Sequence, residues 1–126
     1  MSFLDSFFGK SSERASNINW STLSDIAQLD TIVKDSDNKT QVIFKHSTRC
    51  GISSSVLRKF EQQFDHDNSS LSLHFLDLLN YRSISNEIAE RFDITHQSPQ
   101  LLVIKNGVVV AHDSHYTILD IDMTTC

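Results

Sequence analysis

Apolar positions along this chain keep two different rhythms. Leu23, Ile26, Ala27, Leu29 and Val33 recur at the spacing of one helix face, with Ser21 or Thr22 placed to cap the start and Lys34 near the end. Gln41 to Lys45 then carries Val42, Ile43 and Phe44 in succession. Such a run suits a strand buried on both faces, as in the parallel part of an α/β sheet. The helical rhythm returns through Val56, Leu57 and Phe60 to about Phe64, and again as Ile84, Ile88, Ala89 and Phe92. Between those two helices a strand is predicted over Leu71 to Leu78.

The last third is punctuated differently. Pro99, the single proline, stands directly before the apolar strand Gln100 to Lys105, a position where its missing N–H costs no ladder bond. Asn106-Gly107 separates that strand from Val108 to His112, and this dipeptide favours a two-residue hairpin turn. Ile118, Leu119 and Ile121 predict a last short helix before a frayed tail. The order helix, strand, helix, strand, helix, hairpin, helix predicts an α/β fold. Its centre is a mixed β-sheet with helices on both faces, joined by right-handed crossovers.

Composition narrows the class. With 126 residues, 39% of them hydrophobic and 21% charged, the chain suits one domain with a real core. That domain is expected over 18–126, with 1–17 as a short extension holding Phe3, Leu4, Phe7 and Phe8 at helical spacing. The extension lacks the basic start and small-residue cleavage site of a signal peptide. It has Asp5 and no Lys or Arg before Lys10, a poor composition for binding a membrane surface. A net charge of −5 gives no sign of a nucleic-acid partner. Two cysteines, Cys50 and Cys126, make no disulfide framework, so a reduced, cytoplasmic setting is expected. The six histidines follow no zinc-ligand spacing, and no metal is expected.

Cys50 is where the chemistry concentrates. A strand, a polar turn (Ser47, Thr48, Arg49) and then a cysteine opening a helix is an arrangement that makes a reactive thiolate. The unpaired amides and positive dipole end of a helix favour negative charge. They lower a cysteine pKa from about 8.5 into the range of roughly 3.5–7.5. Asn38 to Phe60 holds no Asp or Glu, yet Lys39, Lys45, Arg49, Arg58 and Lys59 all fall there. One reading is chance clustering on a solvated surface. The other is a basic surround that stabilises a thiolate and attracts an anionic thiol, with Arg49 favoured over the strand residue Lys45. For Cys50 itself the alternative is an inert buried thiol, against which its polar neighbours argue.

The apolar strand, the Thr48-Arg49-Cys50-Gly51-Ile52-Ser53 turn opening a helix, and the later Ser98-Pro99 before a hairpin resemble a thioredoxin-type fold. More closely, FKHSTRCGIS with the Ser98-Pro99 strand resembles the YtxJ-type monothiol bacilliredoxins, over roughly Ile18 to Ile118. The resemblance implies that Cys50 is the nucleophile and that Ser53 stands where a dithiol thioredoxin has its resolving cysteine. It implies that Pro99 is a cis-proline facing Cys50 and that Ser98 presents its backbone to an extended thiol substrate. Thr48, Arg49, Gly51 and Ile52 complete the implied thiolate-stabilising or substrate-binding set. No bound cofactor is implied. The implied partners are bacillithiol, a low-molecular-weight thiol carrying a malate group, and thiolated client proteins from which it is removed.

Two other readings keep the fold and change the class. Cys50-Gly51-Ile52-Ser53 is close to the CGFS motif of monothiol glutaredoxins, which carry an iron–sulfur cluster, although VVVAHDSH lacks their glycine-rich and aspartate motif. The other is a non-catalytic thioredoxin-fold module whose thiol is a passive modification site. Independently of these, Ser53 has the alternative of being an ordinary first-turn helix residue. Cys126 is either a resolving thiol or an incidental residue of the tail.

Overall fold

The computed structural model describes residues 18–64 and 70–121; the expected extension over 1–17 and Cys126 lie outside them. The elements in chain order are β1 (Trp20–Thr22), α1 (Ala27–Asp35), β2 (Thr40–His46), α2 (Gly51–Gln63), β3 (Leu71–Asp77), α3 (Arg82–Phe92), β4 (Gln100–Lys105), β5 (Val108–Ser114) and a 3₁₀ helix (His115–Asp120). The strands form one sheet in the order β1-β3-β2-β4-β5. β1, β3 and β2 run parallel, and β4 and β5 are antiparallel to their neighbours.

β2 lies at the centre because its apolar run can be covered on both sides, and every residue from Gln41 to His46 is buried. Alternate side chains then divide the core. Val42, Phe44, Leu101 and Val103 meet Val56, Phe60 and Phe64 of the α2 segment and Ile118 of the 3₁₀ helix. Ile43, Leu102 and Ile104 meet Leu29 and Ile32 of α1 and Ile84 and Ile88 of α3. This is the expected α/β arrangement, a mixed sheet with helices on both faces.

One expectation is corrected. Ser21 and Thr22 do not cap a helix; with Trp20 they form β1, in register with Leu73, His74 and Phe75. The Trp20 ring packs edge-on against Phe44 and Phe75, at centroid distances of 6.0 and 5.6 Å. That long-range packing outweighs a local capping preference. The helix start is instead capped further on, where Gln28 Oε1 accepts the Ser24 and Asp25 N–H groups and Asp25 Oδ1 accepts that of Ala27. The hairpin forms as expected, with Asn106 and Gly107 at φ 52° and 79°. Its turn is fastened to the end of α1, since the Asn106 and Gly107 N–H groups donate to the carbonyl and hydroxyl of Ser36.

Candidate active site

β2 ends at His46, and a three-residue turn delivers Cys50 to the N-cap of α2 in an extended conformation (φ −106°, ψ 118°). The Cys50 N–H donates to the Ser47 carbonyl at 3.2 Å, and its own carbonyl accepts the Ser54 N–H at 3.1 Å. The thiol is free and half-buried. Cys50 makes no side-chain capping bond, and the first turn of α2 holds no acidic residue. The positive end of the helix is therefore left without a competing carboxylate. Thr48, Arg49, Gly51 and Ile52 around it are exposed. A Cβ built on Gly51 would meet nothing within 4 Å, so the approach to Cys50 is open on that side.

Ser53 has turned inward. It is fully buried, its Oγ lies 2.8 Å from His46 Nδ1, and it accepts the Ser47 N–H at 3.1 Å. The side chain thus ties the first turn of α2 to the end of β2 and to the start of the cysteine turn. His46 is buried as well, its ring 5.4 Å from that of Phe75. Burial pushes its pKa down, against the pull of the Asp77 and Glu61 carboxylates.

Pro99 follows a cis Ser98–Pro99 bond. Gln100, its neighbour, lies opposite Lys45 in the β2–β4 register. Pro99 is therefore at the same end of the sheet as the turn that delivers Cys50. Ser98 Oγ is buried without a hydrogen-bond partner, beside the proline. The Pro99 carbonyl accepts the His115 N–H at 3.0 Å.

The acid-free basic segment does not stay together in space. Lys39 precedes β2 at the end of the sheet away from Cys50. Lys45 is fully buried beneath the α1/α3 face. Lys59 Nζ sits 5.7 Å from the centre of the Tyr116 ring. Arg49 alone adjoins Cys50 in the chain, and Arg58 lines a hollow of about 270 Å³ with His46, Ser54, Leu57 and Glu61. On the floor of that hollow Glu61 is buried and accepts the Trp20 Nε1–H at 2.9 Å. Lys45, Ser85 and His96 gather elsewhere in the molecule. Ser85 and His96 lie 40 and 51 positions beyond the lysine, so no local spacing could have announced them. The only signal was a lysine inside a strand expected to be buried on both faces.

Among the described residues no three His, Cys, Asp or Glu side chains group as a metal site. No helix there is long and apolar enough to cross a membrane.

A mixed five-stranded sheet with one thiol at the start of the helix after its central strand, and a cis-proline strand beside it, defines a thioredoxin-fold redox protein with a single thiol in its motif. Solved structures agree on the fold. One described as a candidate oxidoreductase with a thioredoxin fold superposes with a TM-score of 0.68 at 25% identity, covering 84% of this chain and 88% of that one. The Malassezia sympodialis thioredoxin gives 0.65 at 17% identity, covering 87% and 86%. Mitochondrial thioredoxin 3 from Saccharomyces cerevisiae gives 0.61 at 18% identity, covering 84% and 94%. The chain belongs to the monothiol bacilliredoxin BrxC family, whose model matches residues 21–123.

Proposed function

We propose that this protein is a thiol–disulfide oxidoreductase that removes bacillithiol from protein mixed disulfides. The observation that carries the reading is the pairing of a free, half-buried Cys50 at an uncapped helix start with a buried, hydrogen-bonded Ser53 one turn later. The Cys50 thiolate attacks the bacillithiol sulfur, forming a Cys50–bacillithiol disulfide and expelling the client as its thiolate, which takes up a proton. Ser53 has no sulfur with which to release the adduct. A second bacillithiol thiolate attacks it instead, freeing Cys50 and leaving as the bacillithiol disulfide. Arg49, exposed next to Cys50, is the candidate for the malate carboxylates. Thr48, Gly51 and Ile52 border the approach, and the Ser98–Pro99 strand is the platform for an extended client segment. Lys45, buried under the other face, takes no part in binding the anion.

The test is a client protein loaded with bacillithiol and followed by mass. Cys50→Ser should abolish release, and Cys126→Ser should leave it largely intact. Equal loss from both variants would mean that the tail cysteine resolves the reaction and would end the one-thiol mechanism. Alkylation of Cys50 across a pH series supplies an independent check. A rate that follows the titration of an ordinary free thiol sinks the catalytic role.

A further inference from the structure

Under the α1/α3 face lies a polar cluster that the exchange steps do not use, running from buried Lys45, Ser85 and Gln100 out to Thr95 and His96 at the surface. Lys45, 0% exposed, donates from Nζ to the Ser85 carbonyl of α3 at 3.3 Å and to His96 Nδ1 at 3.4 Å. Ser85 Oγ lies 3.1 Å from the same His96 nitrogen. Gln100, the cross-strand neighbour of Lys45, donates from Nε2 to the Thr95 carbonyl at 2.9 Å. No carboxylate is among these partners. An ammonium buried on neutral acceptors alone is a costly choice for a core, and an apolar side chain of the same length would pack there without that cost.

The cluster converges on two consecutive residues, Thr95 and His96, of the segment that runs into Ser98 and Pro99. Lysine has only donors, so His96 must accept at Nδ1 and carry its proton on Nε2. We propose that Lys45 is a positioning residue which, with Ser85, fastens His96 and so holds the Thr95–Pro99 segment where an extended client meets Cys50. This inference rests on the client platform assigned above. The lysine itself does not touch substrate. The groups bearing on His96 are Lys45 from β2 and Arg82 and Ser85 from α3. Burial and the two cations lower its pKa, so the imidazole stays a neutral acceptor at neutral pH.

Three readouts on the full chain test this: amide hydrogen exchange over 94–100, steady-state kinetics on a bacillithiol-loaded client, and the rate of Cys50 alkylation by iodoacetamide. Lys45→Met should speed exchange in that segment and raise KM about tenfold, with kcat and alkylation nearly unchanged. His96→Ala should do the same. His96→Asn, whose Oδ1 can accept both donors, should restore protection and KM. Unchanged exchange and KM in Lys45→Met would overturn the proposal, as would a loss confined to kcat or a His96→Asn variant that behaves like His96→Ala. If the wild type itself releases no bacillithiol, the functional reading fails, while the exchange data still decide whether Lys45 holds the segment.

Discussion

Ser53 and Lys45 are both buried polar residues, and each commits its polar atoms to a neighbouring segment instead of to solvent. The Ser53 hydroxyl serves two partners, His46 Nδ1 and the Ser47 N–H. Ser53→Ala strands both and should cost roughly 1–3 kcal/mol in denaturant unfolding, because a buried group without a partner keeps its full desolvation penalty. Lys45 works in the opposite direction. Burial lowers its pKa from 10.5 to about 8. Between those values the unfolded chain binds the proton and the folded chain does not, so stability rises with pH across about 8 to 10.5. The full rise is on the order of 3 kcal/mol, since each tenfold change in proton affinity is worth about 1.4 kcal/mol. Unfolding curves should show it in wild type, and the difference should vanish in Lys45→Met, which should also be the more stable protein at neutral pH. A purely structural lysine would give the reverse.

At the scale of elements, the short strand β1 depends on one residue. Its three positions pair with β3, but Ser21 and Thr22 are exposed, and Trp20 carries its packing. The indole is wedged among Phe44, Phe60 and Phe75 and donates to buried Glu61 on α2. Trp20→Phe keeps much of the ring contact and loses the charge-assisted bond. It should destabilise by roughly 1.5–3 kcal/mol, measured by urea unfolding. β1 is also the element that the local sequence does not mark. Trp20-Ser21-Thr22 has no alternation long enough to mark a strand, and its partner lies about fifty residues downstream in β3, separated by two helices and the central strand. The longer elements were legible because their own side chains dictate burial: four apolar residues in a row for β4, a 3.6-residue period for α2 and α3, and Asn-Gly for the hairpin.

For the whole molecule, three histidines share one response to acid. His46, His74 and His96 all have pKa values lowered by burial. As pH falls below the ordinary histidine value of about 6.5, the unfolded state gains their protons first, so stability drops before the carboxylates titrate. A midpoint of urea unfolding that begins to fall near pH 6.5 is expected. His74→Gln should flatten part of that slope, since His74 Nε2 pairs with Gln41 Oε1 at 2.8 Å, and an amide pairs with it without titrating. A midpoint flat down to about pH 5 would mean that these histidines are solvated in the folded protein.

The motif around Cys50 was readable from the chain because its pieces are contiguous: a strand, a turn, a thiol at a helix start and a serine three residues later. Local sequence determines local backbone, and the family resemblance is carried by the same short run together with Ser98-Pro99 and the hairpin that follows. What surrounds the thiol was decided by the tertiary structure. Five basic residues near one another in sequence were scattered to the far end of a strand, to the buried face of the sheet, to a tyrosine ring, to a hollow and to the turn. A strand sends successive side chains to opposite faces, and a helix turns each by about 100°. Proximity along the chain therefore says little about which charges share a site. The same geometry brought Lys45, Ser85, His96 and Gln100 together from three elements and a loop, beneath the segment that ends in Pro99.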